Sequence, residues 1–313
     1  METLAVLLEE PKALRLGRVE LTPPGDDDVV VDVEWSGIST GTERLLWAGR
    51  MPQFPGMGYP LIPGYESVGR VVSAGKQAGR RVGERVFVPG AKCFGPIRGL
   101  FGGAAGRLVV PQQRAHSIDE NLAERGVLMA LAATAYHALA APGARRPDLI
   151  IGHGVLGRLL ARLACADGGA PPVVWETDAG RRAGAQGYRA IDPSEDSCRS
   201  YASIYDVSGD AGLLDTLISR LTPGGEIVLA GFYAAPITFA FPPAFMREAR
   251  LRIAAEWTAP DLDAVRERIA DGRLSLDNLI THVAAAPRAP DAYRTAFTDP
   301  ECLKMILDWR GQQ

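Results

Sequence analysis

Cysteine is scarce and scattered: Cys93, Cys165, Cys198 and Cys302 are the only four among 313 residues, and no two stand in a C-x-x-C pair. That spacing excludes a disulfide framework and a cysteine-built zinc cluster, and it predicts free thiols in a reducing compartment. No apolar run approaches the roughly 18 uninterrupted residues of a membrane helix, and Met1-Glu2-Thr3 lacks the basic start of a signal peptide, so the expectation is a soluble, cytoplasmic protein. Excess charge of either sign is missing as well, since 34 Lys and Arg against 37 Asp and Glu give a formal net charge of −3. The basic residues are spread along the chain, which leaves no field for holding nucleic acid or anionic lipid. Histidine is rare too, and of His116, His137, His153 and His282 the first and last offer no spacing with another ligand. His137 follows Ala133-Thr-Ala-Tyr136 on a helix pattern and is read equally well as a site residue or as a packed or surface one. His153 lies in a glycine turn where its backbone is expected to matter more than its ring.

What the chain does have is 47% hydrophobic residues over a length that exceeds one typical domain, so two domains are expected. Their arrangement is organised around Asp148-Leu-Ile-Ile-Gly-His-Gly-Val-Leu-Gly157, an apolar run followed by three glycines and then apolar residues at helical spacing. Strand, turn and helix follow from that pattern. Gly152, Gly154 and Gly157 fit G-x-G-x-x-G, in which the first glycine permits the tight turn, the second lets backbone approach a pyrophosphate and the third lets helix pack on strand. The helix N-terminus, with Val155 and Leu156, would face the phosphates. A second apolar run, Pro172-Val-Val-Trp175, ends at Glu176, 19 residues after Gly157. A carboxylate there suits the adenosine ribose and repels a 2′-phosphate, which favours NAD over NADP, with Arg181 and Arg182 close by.

Residues 1 to about 122 are rich in short β-type runs, Asp28–Glu34, Ser67–Val72 and Arg85–Val88 among them, separated by Gly and Pro, and predict a compact barrel-like β domain. Within it, Trp47 to Pro60 combines prolines and glycines with large apolar side chains. Two readings fit: a loop whose aromatics tuck onto the barrel, or a wall for a large apolar substrate. From about 123 to 272 strand and helix patterns alternate, with strands at 148–151, 172–176, 204–207 and 226–230 and helices between them, which predicts a doubly wound parallel sheet. Leu221-Thr-Pro-Gly-Gly225 is expected to stop a helix before the last of these strands. Residues 273 to 313 are too short to fold alone and are expected to complete the first domain.

Several stretches, in order, resemble the medium-chain dehydrogenase/reductase superfamily over nearly the whole chain. Ser36-Gly-Ile-Ser-Thr-Gly-Thr-Glu43 is similar to S-G-I-C-G-T-D, Pro63-Gly-Tyr-Glu-Ser-Val-Gly69 to P-G-H-E-x-x-G, Val82-Gly-Glu-Arg-Val86 to V-G-D-R-V, and Gly102–Pro111 to G-G-F-A-E-Y-V-V-V-P. The resemblance implies a GroES-like β-barrel domain joined to a Rossmann domain, an α/β protein with the active site in a cleft between them, and pairing into a homodimer through the edge of the Rossmann sheet. Trp35–Trp47, Met57–Tyr65 and Gly152–Gly157 resemble the branch of bacteriochlorophyll biosynthesis, which implies NAD-dependent oxidation of a hydroxyethyl group on a tetrapyrrole to an acetyl group.

The departures from the superfamily pattern carry the mechanism. Zinc members hold the metal with Cys from the first motif and His from the second, where this chain has Ser39, beside a one-residue insertion, and Tyr65. Neither is an ordinary zinc ligand, and the loop that would carry four cysteines for a structural zinc keeps only Cys93, so the expectation is a metal-free protein. Thr42 stands where zinc members carry a proton-relay hydroxyl, and Tyr65, Glu43 and Glu66 are candidates to orient or accept the proton, or to fix loop geometry. A carbinol attached to a conjugated macrocycle can spread developing positive charge into the ring, which lowers the demand for a Lewis acid. For the flat apolar substrate and its propionate, Trp47, Phe54 and Tyr59, with Met51 and Met57, are candidate walls, and Arg44 and Arg50 candidate cations. Two other readings stay open: a zinc-free quinone or enoyl reductase using NADPH, and a member that binds nucleotide or tetrapyrrole without turnover.

Overall fold

The computed structural model describes residues 1–166 and 168–312. The chain divides into two compact units, Met1–Ala130 with the segment from Leu279 on, and Leu131–Asn278.

The first unit is built on short, buried, β-branched strands. Asp28–Ile38 is its central strand, and along its length it pairs antiparallel with Ser67–Ala74, Arg107–Pro111 and Met305–Asp308. It belongs to a seven-stranded sheet, and a second, four-stranded sheet runs in the order Ala13–Glu20, Glu2–Glu10, Leu61–Ile62, Arg98–Gly99. Val29, Val30, Val31 and Val33 are all buried because both faces of the strand are covered, which explains a nearly continuous apolar run in place of alternation. The C-terminal residues supply part of this unit's core: Trp309 is fully buried with its indole N–H donating to Ser36 Oγ at 2.8 Å, and the helix Ala289–Thr298 buries Tyr293 and Phe297.

The second unit holds a six-stranded, all-parallel sheet in the order Arg189–Ile191, Val173–Trp175, Leu149–Ile151, Tyr201–Asp206, Leu221–Leu229, Arg250–Ile253. The strand order reverses beside Leu149–Ile151, and ligands of such sheets bind past the C-terminal ends of the strands at that point. All three residues of this strand are buried. The sequence predicts a helix between each pair of strands, but residues 176–188 form turns between Trp175 and Arg189, and only a short 3-10 turn, Pro193–Glu195, separates the next pair. Gly180, Gly184 and Gly187 interrupt the first of these stretches, and glycine is among the poorest helix formers. A second difference lies at Leu221–Gly225, which is already strand: Leu221 pairs with Tyr201, and the register shifts before Glu226 meets Ser203, so Pro223, Gly224 and Gly225 bulge out of a longer strand. No described helix is long and apolar enough to cross a membrane.

Candidate functional site

In the first unit the candidate catalytic residues gather where the central strand ends. Ser39 follows that strand and precedes the helix Thr42–Ala48. Its hydroxyl oxygen accepts from the Thr42 N–H at 3.3 Å and from the Tyr65 hydroxyl at 2.8 Å, while its own N–H donates to Glu43 Oε1 at 3.0 Å. These bonds pin the turn into the helix and bring three hydroxyl-bearing residues of two motifs together. Tyr65 is half-buried, edge-on to Phe101 with ring centroids 5.8 Å apart, and burial raises its phenol well above the usual value, with Glu66 adding to the rise. At neutral pH it is a neutral donor, not a phenolate.

Two carboxyls lie beneath these hydroxyls and differ in their partners. Glu66 is wholly buried, and its Oε2 receives the Lys304 ammonium at 2.5 Å, while Lys304 also donates to the Ile38 carbonyl at 3.2 Å. Gly37 leaves the room this requires, since a Cβ there would come within 2.0 Å of Glu66 Oε2. Glu43 is buried and accepts from two neutral donors, the Ser39 N–H and the Tyr293 hydroxyl at 2.7 Å. Burial pushes its carboxyl up to about 7, and the Tyr293 and Ser39 hydrogen bonds oppose the shift without cancelling it. A carboxyl in that range can take up and release a proton near neutrality.

The substrate candidates divide. Trp47 packs its ring on Phe297 with centroids 5.5 Å apart, Met51 is buried, Met57 packs against the same small cluster, and the Tyr59 hydroxyl donates to the Leu46 carbonyl at 2.5 Å. These side chains hold the loop onto its own unit. Arg44, Arg50 and Phe54 are exposed.

In the second unit the glycine turn has the form its pattern predicts. A Cβ on Gly157 would lie 1.9 Å from the Gly152 carbonyl oxygen, so only glycine lets the helix Val155–Ala166 sit this close to the strand end, while the space a Cβ would take at Gly154 is open. Glu176 follows its strand, and its carboxylate accepts the His153 N–H at 3.1 Å and the Asp178 N–H at 2.9 Å. Each carboxylate oxygen keeps acceptor capacity for a further donor such as a ribose hydroxyl. Val155 is buried and Leu156 half-buried at the helix start. The Arg181 N–H donates to Asp178 Oδ1 at 3.0 Å, and Arg182 is committed to the Glu176 and Thr177 carbonyls and to Asp192.

Residues 25–120 match the alcohol dehydrogenase GroES-like domain family. Over 99% of its length the chain is 60% identical to the 2-desacetyl-2-hydroxyethyl bacteriochlorophyllide A dehydrogenase of Cereibacter sphaeroides, 99% of which is covered in turn. The chain belongs to the medium-chain dehydrogenase/reductase family. Among solved structures, an alcohol dehydrogenase from Escherichia coli complexed with NADH superposes with a TM-score of 0.82 at 21% identity, covering 98% of this chain and 99% of that one. A dehydrogenase from Sinorhizobium meliloti bound to NADP superposes with a TM-score of 0.81 at 22% identity, with the same coverage. This dehydrogenase is thus α/β, with a GroES-like unit and a Rossmann-type parallel sheet.

The sequence does not single out Tyr293 and Lys304, because their partners Glu43 and Glu66 lie 250 and 238 residues earlier in the chain. One signal was available. Lys304 interrupts the apolar run Cys302-Leu-Lys-Met-Ile-Leu307, and a lone cation in such a run needs a buried partner.

Proposed function

We propose that this chain oxidises the hydroxyethyl substituent of a (bacterio)chlorophyllide to an acetyl group, using NAD and no zinc at the reacting centre. The observation that carries the substrate is full-length identity of 60% to a dehydrogenase of that name. Bound nicotinamide would accept the hydride from the carbinol carbon, so the protein has to take the alcohol's proton. Support for NAD comes from the fit of the glycine turn to a pyrophosphate and from a carboxylate, Glu176, at the ribose position, with Gly152, Gly154, Val155, Leu156, Gly157 and Arg181 around it.

The donor set at the motif positions is a poor match to zinc. Ser39 Oγ is engaged with Thr42 and Tyr65, the Tyr65 phenol stays protonated, and Glu66 is taken by Lys304. Zinc prefers thiolate, imidazole and free carboxylate. In this reading the Thr42, Tyr65 and Ser39 hydroxyls orient the alcohol and Glu43 is the proton's destination, because its affinity lies nearest the working pH. Glu66 with Lys304 holds the shape of the cluster. Arg44, Arg50 and Phe54 meet the substrate's propionate and ring, while Trp47 and Tyr59 hold the loop that carries them.

The same reading makes the protein a cytoplasmic homodimer. The edge strand Arg250–Ile253 exposes Leu251 and Ile253, and the adjoining helix Phe241–Met246 exposes Phe241, Phe245 and Met246. Exposed apolar side chains on and near a sheet edge call for a cover, and a second copy supplies one. The deciding experiment is incubation of the purified protein, treated with a strong chelator, with NAD and a hydroxyethyl chlorophyllide. Reduced nicotinamide and acetyl product in equal amounts are expected. Turnover only after zinc is restored would remove the zinc-free part, oxidation of NADPH by a quinone or enoyl acceptor alone would favour a reductase, and binding without turnover a carrier.

A further inference from the structure

The glycine turn is tied to the loop that replaces a helix in the second unit, and the tie is made by a side chain. The ring of His153 is wholly buried: Nδ1 lies 2.6 Å from the Arg181 carbonyl oxygen and Nε2 2.8 Å from the Tyr188 hydroxyl. A carbonyl can only accept, so Nδ1 carries the proton, and Nε2 accepts from Tyr188. The Tyr188 ring stands edge-on to the imidazole at 5.5 Å. Arg158, also buried, donates from Nε to the His153 carbonyl at 3.0 Å and from a terminal nitrogen to the Arg181 carbonyl at 2.9 Å. The backbone N–H of His153 meanwhile donates to Glu176. One residue therefore joins the turn, the carboxylate after the second strand and the loop 177–188. Burial holds the imidazole down to about 4, with Arg158 opposing a second positive charge, so the ring stays neutral and able to donate and accept at once.

We infer that His153 and Tyr188 are positioning residues for the adenosine half of the dinucleotide: their hydrogen bond fixes the loop 177–188 against the glycine turn and so holds Glu176 and Arg181 in place before the nucleotide arrives. This rests on the reading that the glycine turn binds NAD. A regular helix would fix the residues after Glu176 through its own backbone bonds. Here 176–188 is a series of turns with local bonds from Asp178 and Arg182, and the bonds from His153 and Arg158 are the ones that tie it to the glycine turn. Preorganisation of this kind lowers the ordering cost of binding and appears as affinity.

The test measures dissociation constants for NADH and for AMP with Tyr188→Phe, His153→Asn and the double variant, alongside steady-state kinetics and thermal unfolding. Tyr188→Phe removes one hydroxyl, and His153→Asn retains an N–H for the Arg181 carbonyl while losing the bond to Tyr188. Each single variant is expected to weaken NADH and AMP binding together by about three- to tenfold, the range of one lost hydrogen bond. The double variant is expected to lose no more than either single, because both break the same bond. The Michaelis constant for NAD rises by the same factor, with kcat at saturating NAD retained. Affinities within about twofold of wild type in both singles, even with a lowered melting temperature, would overturn the inference and leave the pair a fold contact. If wild-type protein binds neither NADH nor AMP, the nucleotide reading itself fails, an outcome distinct from the first.

Discussion

The carboxylates of the two units are held by opposite means. Around Glu176 the donors are backbone N–H groups, one two residues ahead and one 23 residues back, at the end of a strand and in the turn beside it. Around Glu66 and Glu43 the deciding partners are side chains, an ammonium and a phenol, delivered from more than 200 residues away. A site made of backbone follows from a local motif, and any residue types that keep the turn keep the donors. A site made of distant side chains takes its proton affinity from the identity of each partner. Glu66 is bonded to a cation, whereas Glu43 accepts its hydrogen bonds from a backbone N–H and a phenol and is held up to about 7 by burial, so two buried carboxyls of one cluster differ in what surrounds them.

The strongest way to break this contrast is to remove the cation. Lys304→Met leaves Glu66 buried without its counter-charge and is expected to cost about 3–5 kcal/mol of stability, read by denaturant unfolding. Adding Glu66→Leu to it should recover much of that loss, since the pair's worth lies mainly in not being split. A single variant within about 1 kcal/mol of wild type would mean that the ion pair is not what holds this cluster.

Next in size is Glu43→Gln, which keeps the shape and removes the titration. The expected loss in kcat is about 100-fold or more. Wild-type rates should rise with pH through about 7 as the carboxyl ionises, and that limb should vanish in the variant. Stability carries the opposite sign. The folded carboxyl is raised from 4.5 to about 7, so between those values the unfolded chain has released a proton that the folded one retains, and wild-type stability falls with rising pH. Measured against the variant, this decline should amount to at most about 3 kcal/mol and be complete above the folded value. Parallel stability curves for the two proteins would place Glu43 outside the titrating role.

This contrast also explains how far the sequence could be read. The parallel sheet was legible because Leu149-Ile-Ile151 and Ile227-Val-Leu229 are apolar runs each followed within two residues by glycine, and the strand Arg85–Val88 has the bounds its apolar run predicts. The family was legible because its glycine and proline motifs are local. The helix expected after Glu176 was not found, since its apolar spacing is thin and Gly180, Gly184 and Gly187 break it. Glu43 and Glu66 stood in motifs and drew attention. What distinguishes them did not, because Tyr293 and Lys304 reach them only through the return of the C-terminal strand and helix to the first unit. His153 shows the limit from the other side: a position that the motif treats as backbone has a buried ring with two hydrogen-bond partners.

A milder change sharpens the backbone-built side. Glu176→Ser removes the charge after the second strand and leaves the turn intact. NAD is expected to bind about tenfold more weakly, with NADP gaining relative to it because the repulsion of a 2′-phosphate is gone. Unchanged selectivity between the two would remove Glu176 from the ribose site.

The smallest effects are expected on the loop from Trp47 to Pro60, where side chains that hold structure can be separated from those that face solvent. Trp47 lies on Phe297 and Tyr59 bonds the Leu46 carbonyl, so Trp47→Ala should lower the melting temperature before it alters tetrapyrrole affinity. Arg44, Arg50 and Phe54 are exposed and carry no such duty in the fold. Arg50→Ala should raise the Michaelis constant of the tetrapyrrole a few-fold, the size of an exposed ion pair at about 0.2–1 kcal/mol, with NAD unaffected and the effect shrinking as salt is added. Phe54→Ala should act in the same direction through lost ring contact. Esterifying the propionate removes the charge that Arg50 would meet, so the ester should bind wild type as the free acid binds the variant, and Arg50→Ala should change nothing further. Equal turnover of acid and ester by wild type would leave Arg50 an ordinary surface charge, because no other group of the substrate's rim calls for a cation.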